Sequence, residues 1–151
     1  MKSEAEQAVA TTHKAPSLVK LGACFIYETL IVLALSFVCT LPFLMVVGDA
    51  THGFRRHVLQ LLLWVCLGCY FVWCWHKKGQ TLAMQTWQFK VINQESKFLS
   101  IKQAIQRYIL ATFSLLFFGL GYLWIIVDKD RLTLHDRLLK NRIIFVPRNT
   151  A

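Results

Sequence analysis

The chain has 151 residues, 56% of them hydrophobic and only 17% charged, with a formal net charge of +9 at neutral pH. That length holds one domain, and so apolar a composition points away from a soluble globule and towards the membrane class. The positive charge comes without a recognisable nucleic-acid motif and flanks apolar segments, as the positive-inside rule expects, so nucleic acid is not a predicted partner.

In chain order, residues 1–17 read as a mobile N-terminal tail. Met1 to Pro16 is polar and contains Glu4 and Glu6, unlike a basic region ahead of a short apolar core, so no signal peptide is expected and the first span itself serves as insertion signal. A helix is predicted from Leu18, with Pro16 and Ser17 as start signals. The apolar run from Cys24 to Val47 is long enough to cross a bilayer. Pro42, late in that run, is tolerable and introduces a kink. The short turn-like stretch from Gly48 to His57 makes the first two helices an antiparallel hairpin. A second span covers Val58 to Trp75, with Gln60 its only strongly polar residue, and closes on Trp73-Cys74-Trp75-His76-Lys77-Lys78, aromatics followed by cations.

Residues 79–100 are too polar to span. Thr86 to Ile92 alternates polar and apolar residues, a strand pattern, Asn93 to Lys97 is a turn, and Phe98 to Ile101 is expected to return as a second strand. Arg142 to Val146 is another β-branched run, closed by Pro147. A lone two-stranded hairpin is marginal in water, so the C-terminal run is expected to pair with Phe89–Ile92.

That pairing constrains the third apolar segment, Tyr108 to Val127. If it crosses once, the tail and the polar loop lie on opposite sides of the membrane and cannot pair, and Lys and Arg divide 9 against 8. If it turns back at Gly119-Leu120-Gly121, only Arg55 and Arg56 lie on the far side and the division is 15 against 2. The positive-inside rule prefers the second arrangement. A helix from about Ile101 to Phe118, a glycine break and a short returning piece from Tyr122 to Val127 would satisfy it, with a plain three-span protein as the alternative. The expected fold class is an all-α membrane protein: two transmembrane helices, a third helix with a re-entrant or short returning segment, and a small cytoplasmic β-element. The membrane domain is placed at 18–147, with 148–151 as a C-terminal tail.

Glu28 is the only acidic residue in any apolar segment. A charge inside a span costs about 2.5–3.5 kcal/mol on insertion scales and marks a candidate functional site. One reading makes it a proton- or cation-exchanging carboxylate whose charge state depends on burial and a neighbouring cation. The other makes it a structural contact that snorkels or pairs with Lys20 or Arg107. Cys24, Cys39, Cys66, Cys69 and Cys74 all lie in apolar segments, where free Cys behaves as a small hydrophobe. The Cys66-x-x-Cys69 spacing lacks the second pair that a metal site needs, so no metal and no cofactor are predicted. His135-Asp136 has the look of part of a hydrolase triad, yet no nucleophile motif accompanies it and no enzymatic activity is expected. Gly79-Gln80-Thr81 fits no phosphate-loop pattern.

The pieces Ala23-Cys24-Phe25-Ile26-Tyr27-Glu28, Gly79-Gln80-Thr81-Leu82-Ala83-Met84, Arg107-Tyr108-Ile109-Leu110-Ala111, Gly119-Leu120-Gly121-Tyr122-Leu123-Trp124 and Leu134-His135-Asp136-Arg137-Leu138, in this order and spacing, resemble the RDD family of small bacterial membrane proteins. The resemblance covers about Ser17 to Val146. The family takes its name from an arginine and an aspartate in the first helix and an aspartate near the C-terminal end. Asp136 matches the last, and Glu28 stands where the first aspartate is expected. The arginine position falls on Leu21, with Lys20 one residue early, and lysine cannot form the planar bidentate pair that arginine can.

Two function classes follow. In one, the protein exchanges or conducts protons or small cations, with Glu28 and Asp136 as candidate ion- or proton-binding groups and Lys20, Arg107 and Arg137 as charge partners. In the other, it is a non-enzymatic scaffold or assembly partner whose polar residues hold helices together. Either way the expected surroundings are the lipid bilayer of a bacterial inner (cytoplasmic) membrane, crossed more than once with the N-terminus cytoplasmic, and a homo-oligomer or another membrane protein as partner.

Overall fold

The computed structural model describes residues 17–50, 52–117, 119–128 and 132–145. Of the expected tails, 1–17 and 148–151, all but Ser17 lie outside them. Helix α1 spans Leu18–Val47 and α2 spans Gly53–Lys77. At 1.5 Å per residue their 30 and 25 residues reach about 45 and 37 Å, more than the roughly 30 Å of a bilayer's hydrocarbon core. Both are long and apolar enough to cross a membrane. They pack as an antiparallel hairpin: Cys24 and Trp75 share a buried cluster at the open end, and Leu44 and Leu59 line one cavity near the turn. Pro42 lies inside α1, where its missing N–H costs one ladder hydrogen bond. Leu30, Leu33, Phe37 and Leu41 face outwards, an apolar surface of the kind that lipid covers.

Beyond α2 the chain makes a short helix α3 (Leu82–Thr86), strand β1 (Phe89–Ile92), helix α4 (Ile101–Leu116), helix α5 (Leu120–Val127), helix α6 (Leu134–Leu138) and strand β2 (Arg142–Phe145). The two strands pair, as the sequence pattern predicts, and they run antiparallel with Phe89 opposite Phe145 and Ile92 opposite Arg142. The expected return strand at Phe98–Ile101 does not form. Ser100 instead caps α4: its hydroxyl accepts the Gln103 N–H at 3.3 Å while Gln103 Oε1 accepts the Ser100 N–H at 3.0 Å. This reciprocal capping box satisfies two backbone donors that helix geometry would leave open. Helices do the work a third strand would have done: Phe89 and Val91 are fully buried in one cluster with Trp75, Leu99 and Ala104. The expected turn at 93–97 is present, with Asn93 Oδ1 accepting the Glu95 and Lys97 N–H groups at 2.9 and 3.0 Å.

Because β1 follows α2 and β2 ends the described chain, their pairing forces the segment after α4 to come back to the same end of the hairpin. The return occurs at Gly119, whose φ of +70° lies in the left-handed region that glycine enters without strain. From there α5 runs back along α4 so closely that a Cβ on Gly121 would overlap Ser114 Oγ and stand 2.9 Å from Ser114 Cβ. The third helix therefore turns back, and the fold is an all-α membrane protein with a small two-stranded sheet.

Gly121→Val should overpack this contact and destabilise the protein by about 1–3 kcal/mol. Gly22→Val, at a position with no heavy atom within 4 Å of an added Cβ, should not. Thermal unfolding of the two detergent-solubilised variants measures the difference, and equal midpoints would contradict the close return of α5.

Candidate functional site

One face of α4 carries Ala104, Arg107 and Ala111, all buried, at spacings that place them on a single stripe. The small alanines let neighbouring elements approach, and Arg107, 6% exposed, reaches from between them into the interior. Its Nε donates to Asp136 Oδ1 at 2.6 Å and its Nη2 to Asp136 Oδ2 at 2.8 Å. This is the bidentate fork geometry that only arginine supplies. The opposite face of the guanidinium meets Trp75 of α2, 4.2 Å from the ring centroid. Asp136, fully buried, also accepts from Thr133 Oγ1 at 2.8 Å. Thr133 is the N-cap of α6, so the residue that starts the helix also fixes the carboxylate. The Asp136 carbonyl in turn accepts the Asn141 N–H at 2.9 Å, tying α6 to the start of β2.

Burial alone would raise the Asp136 carboxyl, but the Arg107 charge and its hydrogen bonds overcome that and hold it below the usual carboxylate range. His135 behaves oppositely. Burial pushes its imidazole down to about 4 against the attraction of Asp136, so it is neutral at pH 7. Thr133 Oγ1 spends its proton on Asp136 and accepts from His135 Nε2, 3.0 Å away, which assigns the proton of the neutral ring to Nε2.

Glu28 is half-buried on α1, in the turn after Cys24. One oxygen, Oε2, accepts a short hydrogen bond from Thr81 Oγ1. Thr81 is also the N-cap of α3, its hydroxyl accepting the Met84 N–H at 3.3 Å. The other oxygen, Oε1, is buried without a hydrogen bond. The Arg107 guanidinium and the Tyr70 hydroxyl lie close enough to act on the carboxylate. Tyr70 is itself anchored, its hydroxyl accepting the Leu82 N–H at 3.3 Å.

Of the residues singled out from sequence, Glu28, Arg107 and Asp136 are therefore brought together. Lys20 is not part of that group: its ammonium lies 4.6 Å from the Phe145 ring centroid on β2. Leu21, at the position where the family resemblance expects arginine, packs against the apolar core. Arg137 turns away from Asp136 to bind Asp128, whose other oxygen accepts the Leu132 N–H at 3.0 Å. Sequence reasoning missed Thr81, Thr133 and Trp75 as the groups that orient the two carboxylates and the guanidinium. The signals for the threonines were present: each precedes a short helix as a good N-cap. Among the described residues no cluster of three His, Cys, Asp or Glu side chains is placed to hold a metal ion.

Two membrane-length apolar helices, a third that turns back and a charged cluster at one end of them define a membrane protein. A family model described as the RDD family matches residues 17–140, and the chain belongs to that family. No significant match was found among curated proteins or among solved structures.

The His135 shift fixes the acid response. An imidazole held at about 4 in the fold and titrating at 6.5 when unfolded binds its proton preferentially in the unfolded chain between those values. Stability contributed by the neutral ring is then full above pH 6.5 and falls as pH drops towards 4. Between pH 7.5 and 4.5 this loss amounts to about 3 kcal/mol. His135→Gln, which keeps a donor for Thr133, should flatten the dependence of the unfolding midpoint on pH across this window. An equally steep profile in the variant would show that His135 is not its source.

Proposed function

We propose that this chain is a multi-pass protein of the bacterial inner membrane that exchanges or conducts protons or small cations at Glu28. Its N-terminus, the connection from Lys77 to Arg107 and the C-terminal segment face the cytoplasm, an orientation supported by the 15-to-2 division of Lys and Arg. The observation that carries the reading is the Glu28 carboxylate itself. It sits in a membrane-length helix, held through one oxygen by Thr81 and with its second oxygen buried without a hydrogen bond. Arg107 is committed to Asp136 through two hydrogen bonds. It therefore biases Glu28 through its field and leaves Oε1 to an exchanging ion. Asp136 positions Arg107 in this scheme, and Lys20 and Arg137 act only through the surrounding charge. Two full spans and a returning helix enclose little volume, so the working unit is a homo-oligomer.

A second reading, a non-enzymatic scaffold or assembly partner, is favoured by the Arg107–Asp136 pair. A bidentate pair buried this deeply, with Thr133 completing the carboxylate's hydrogen bonds, is what a purely structural clamp needs. Under that reading Glu28 does nothing more than fasten α3 to α1 through Thr81.

The two separate in proteoliposomes containing a pH-sensitive dye. The exchange reading expects Na⁺, K⁺ or Li⁺ pulses to move protons with wild-type protein, and Glu28→Gln at matched content to abolish that movement while unfolding at a similar temperature. No flux above empty liposomes from folded wild-type protein would sink autonomous exchange of these cations and leave the scaffold reading.

A further inference from the structure

The end of the molecule that carries the sheet also carries most of its cations, and they are unevenly neutralised. Asp136 is taken by Arg107, Asp128 by Arg137 and Glu95 by Lys97, the last at 3.0 Å. Lys77 and Lys78 at the end of α2, Lys90 on β1 and Lys102 in the first turn of α4 have no such partner among the described residues. The fold brings the chain segments that carry these four close together. His76 Nδ1 lies 3.1 Å from the Leu99 carbonyl oxygen, which sets the end of α2 beside the start of α4. The Val91 N–H donates to the Gly79 carbonyl at 2.8 Å, which brings β1 to the same place.

The patch is also apolar in a particular way. Lys90 Nζ lies 4.6 Å from the Phe98 ring centroid and Lys77 Nζ 5.7 Å from that of Trp73. Both rings are exposed, Phe98 at 46% and Trp73 at 68%. An aromatic face beneath an ammonium limits the freedom of the long side chain. It also places apolar surface directly beside positive charge, at the level where a membrane-length helix ends. A free anion or a nucleic-acid backbone needs the charge alone. A lipid needs both, cations for the phosphate and apolar surface for the glycerol and upper acyl region.

We propose that Lys77, Lys78, Lys90 and Lys102, with Phe98 and Trp73, form a headgroup site for anionic phospholipid. The lysines hold the phosphate, and the two rings lie against the lipid below it. The site is independent of exchange at Glu28, because none of its residues touches that carboxylate.

Thermal unfolding of the full chain in neutral detergent tests this with phosphatidylglycerol, phosphatidylcholine or inorganic phosphate added at equal phosphate concentration. Phosphatidylglycerol should raise the midpoint by about 3–6 °C, as a ligand that binds only the folded state does. Phosphatidylcholine and inorganic phosphate should leave it in place. The rise should fall by more than half in Lys77→Gln/Lys78→Gln/Lys102→Gln, and in the wild type it should vanish at about 1 M NaCl, where the screening length is roughly 3 Å. The salt comparison needs no variant and decides the matter if the triple substitution does not fold. A rise that survives salt or the triple substitution, or an equal rise with phosphatidylcholine, overturns the proposal. An equal rise with inorganic phosphate overturns the lipid source and assigns the patch to free phosphate.

Discussion

Arg107 and Asp136 take two full charges out of water, and each loses several kcal/mol of hydration in the process. The fold tolerates this because the geometry leaves little unsatisfied. Two parallel hydrogen bonds join the pair, Thr133 donates to the same carboxylate, and Trp75 covers the guanidinium face. These partners come from three separate stretches of chain. The pair joins α4 to α6, Trp75 brings in α2, and the Asn141 N–H on the Asp136 carbonyl starts β2 at the right place to meet β1. Neither partner can leave without stranding the other, so the return of the chain after α4 is enforced from its far end as well as by the Gly119 turn. A pair of this kind stabilises less than a well-packed apolar substitute could, yet it fixes a single register for the segments it joins.

The same clamp sets the environment of Glu28. The carboxylate feels the charge of a guanidinium already held in place by a second carboxylate. Thr81 donates a hydrogen bond to the Glu28 carboxylate, and through that bond its position depends on α3 and on the Gly79-Gln80-Thr81 junction. Gln80 strengthens that junction, its Nε2 donating to the Phe89 carbonyl at 2.8 Å. The first helix, the short connection and the sheet are thereby coupled through side chains that sequence inspection treats as loop residues.

What could be read from the sequence was whatever repeats or runs on. The two spans follow from unbroken apolar stretches. The return at Gly119 follows from charge counting and from the strand pattern at Phe89–Ile92 and Arg142–Phe145, because a pairing between distant strands admits one topology only. The approach of Arg107 to Asp136 was not legible in this way. The two residues stand 29 positions apart, and each is a single charge in a segment with other charges beside it, so no periodicity selects Arg107 over Lys102 or Asp136 over Asp128. Likewise the sequence offered both Lys20 and Arg107 as partners of Glu28 and did not choose between them. Phe145, brought near by strand pairing, holds Lys20 instead. The Phe98–Ile101 segment was misread because β-propensity is a weaker signal than a complete capping box.

The most direct test of the clamp is amide hydrogen exchange of the detergent-solubilised protein, comparing wild type with Asp136→Asn. Asparagine keeps the size of the side chain and removes its charge, so Arg107 loses its bidentate carboxylate, and breaking a buried pair in this way costs about 3–5 kcal/mol. The amides of Phe89–Ile92 and Arg142–Phe145 should lose protection together while those in the middle of α1 and α2 keep theirs. Unchanged protection of both strands in the Asp136→Asn protein would contradict such a clamp.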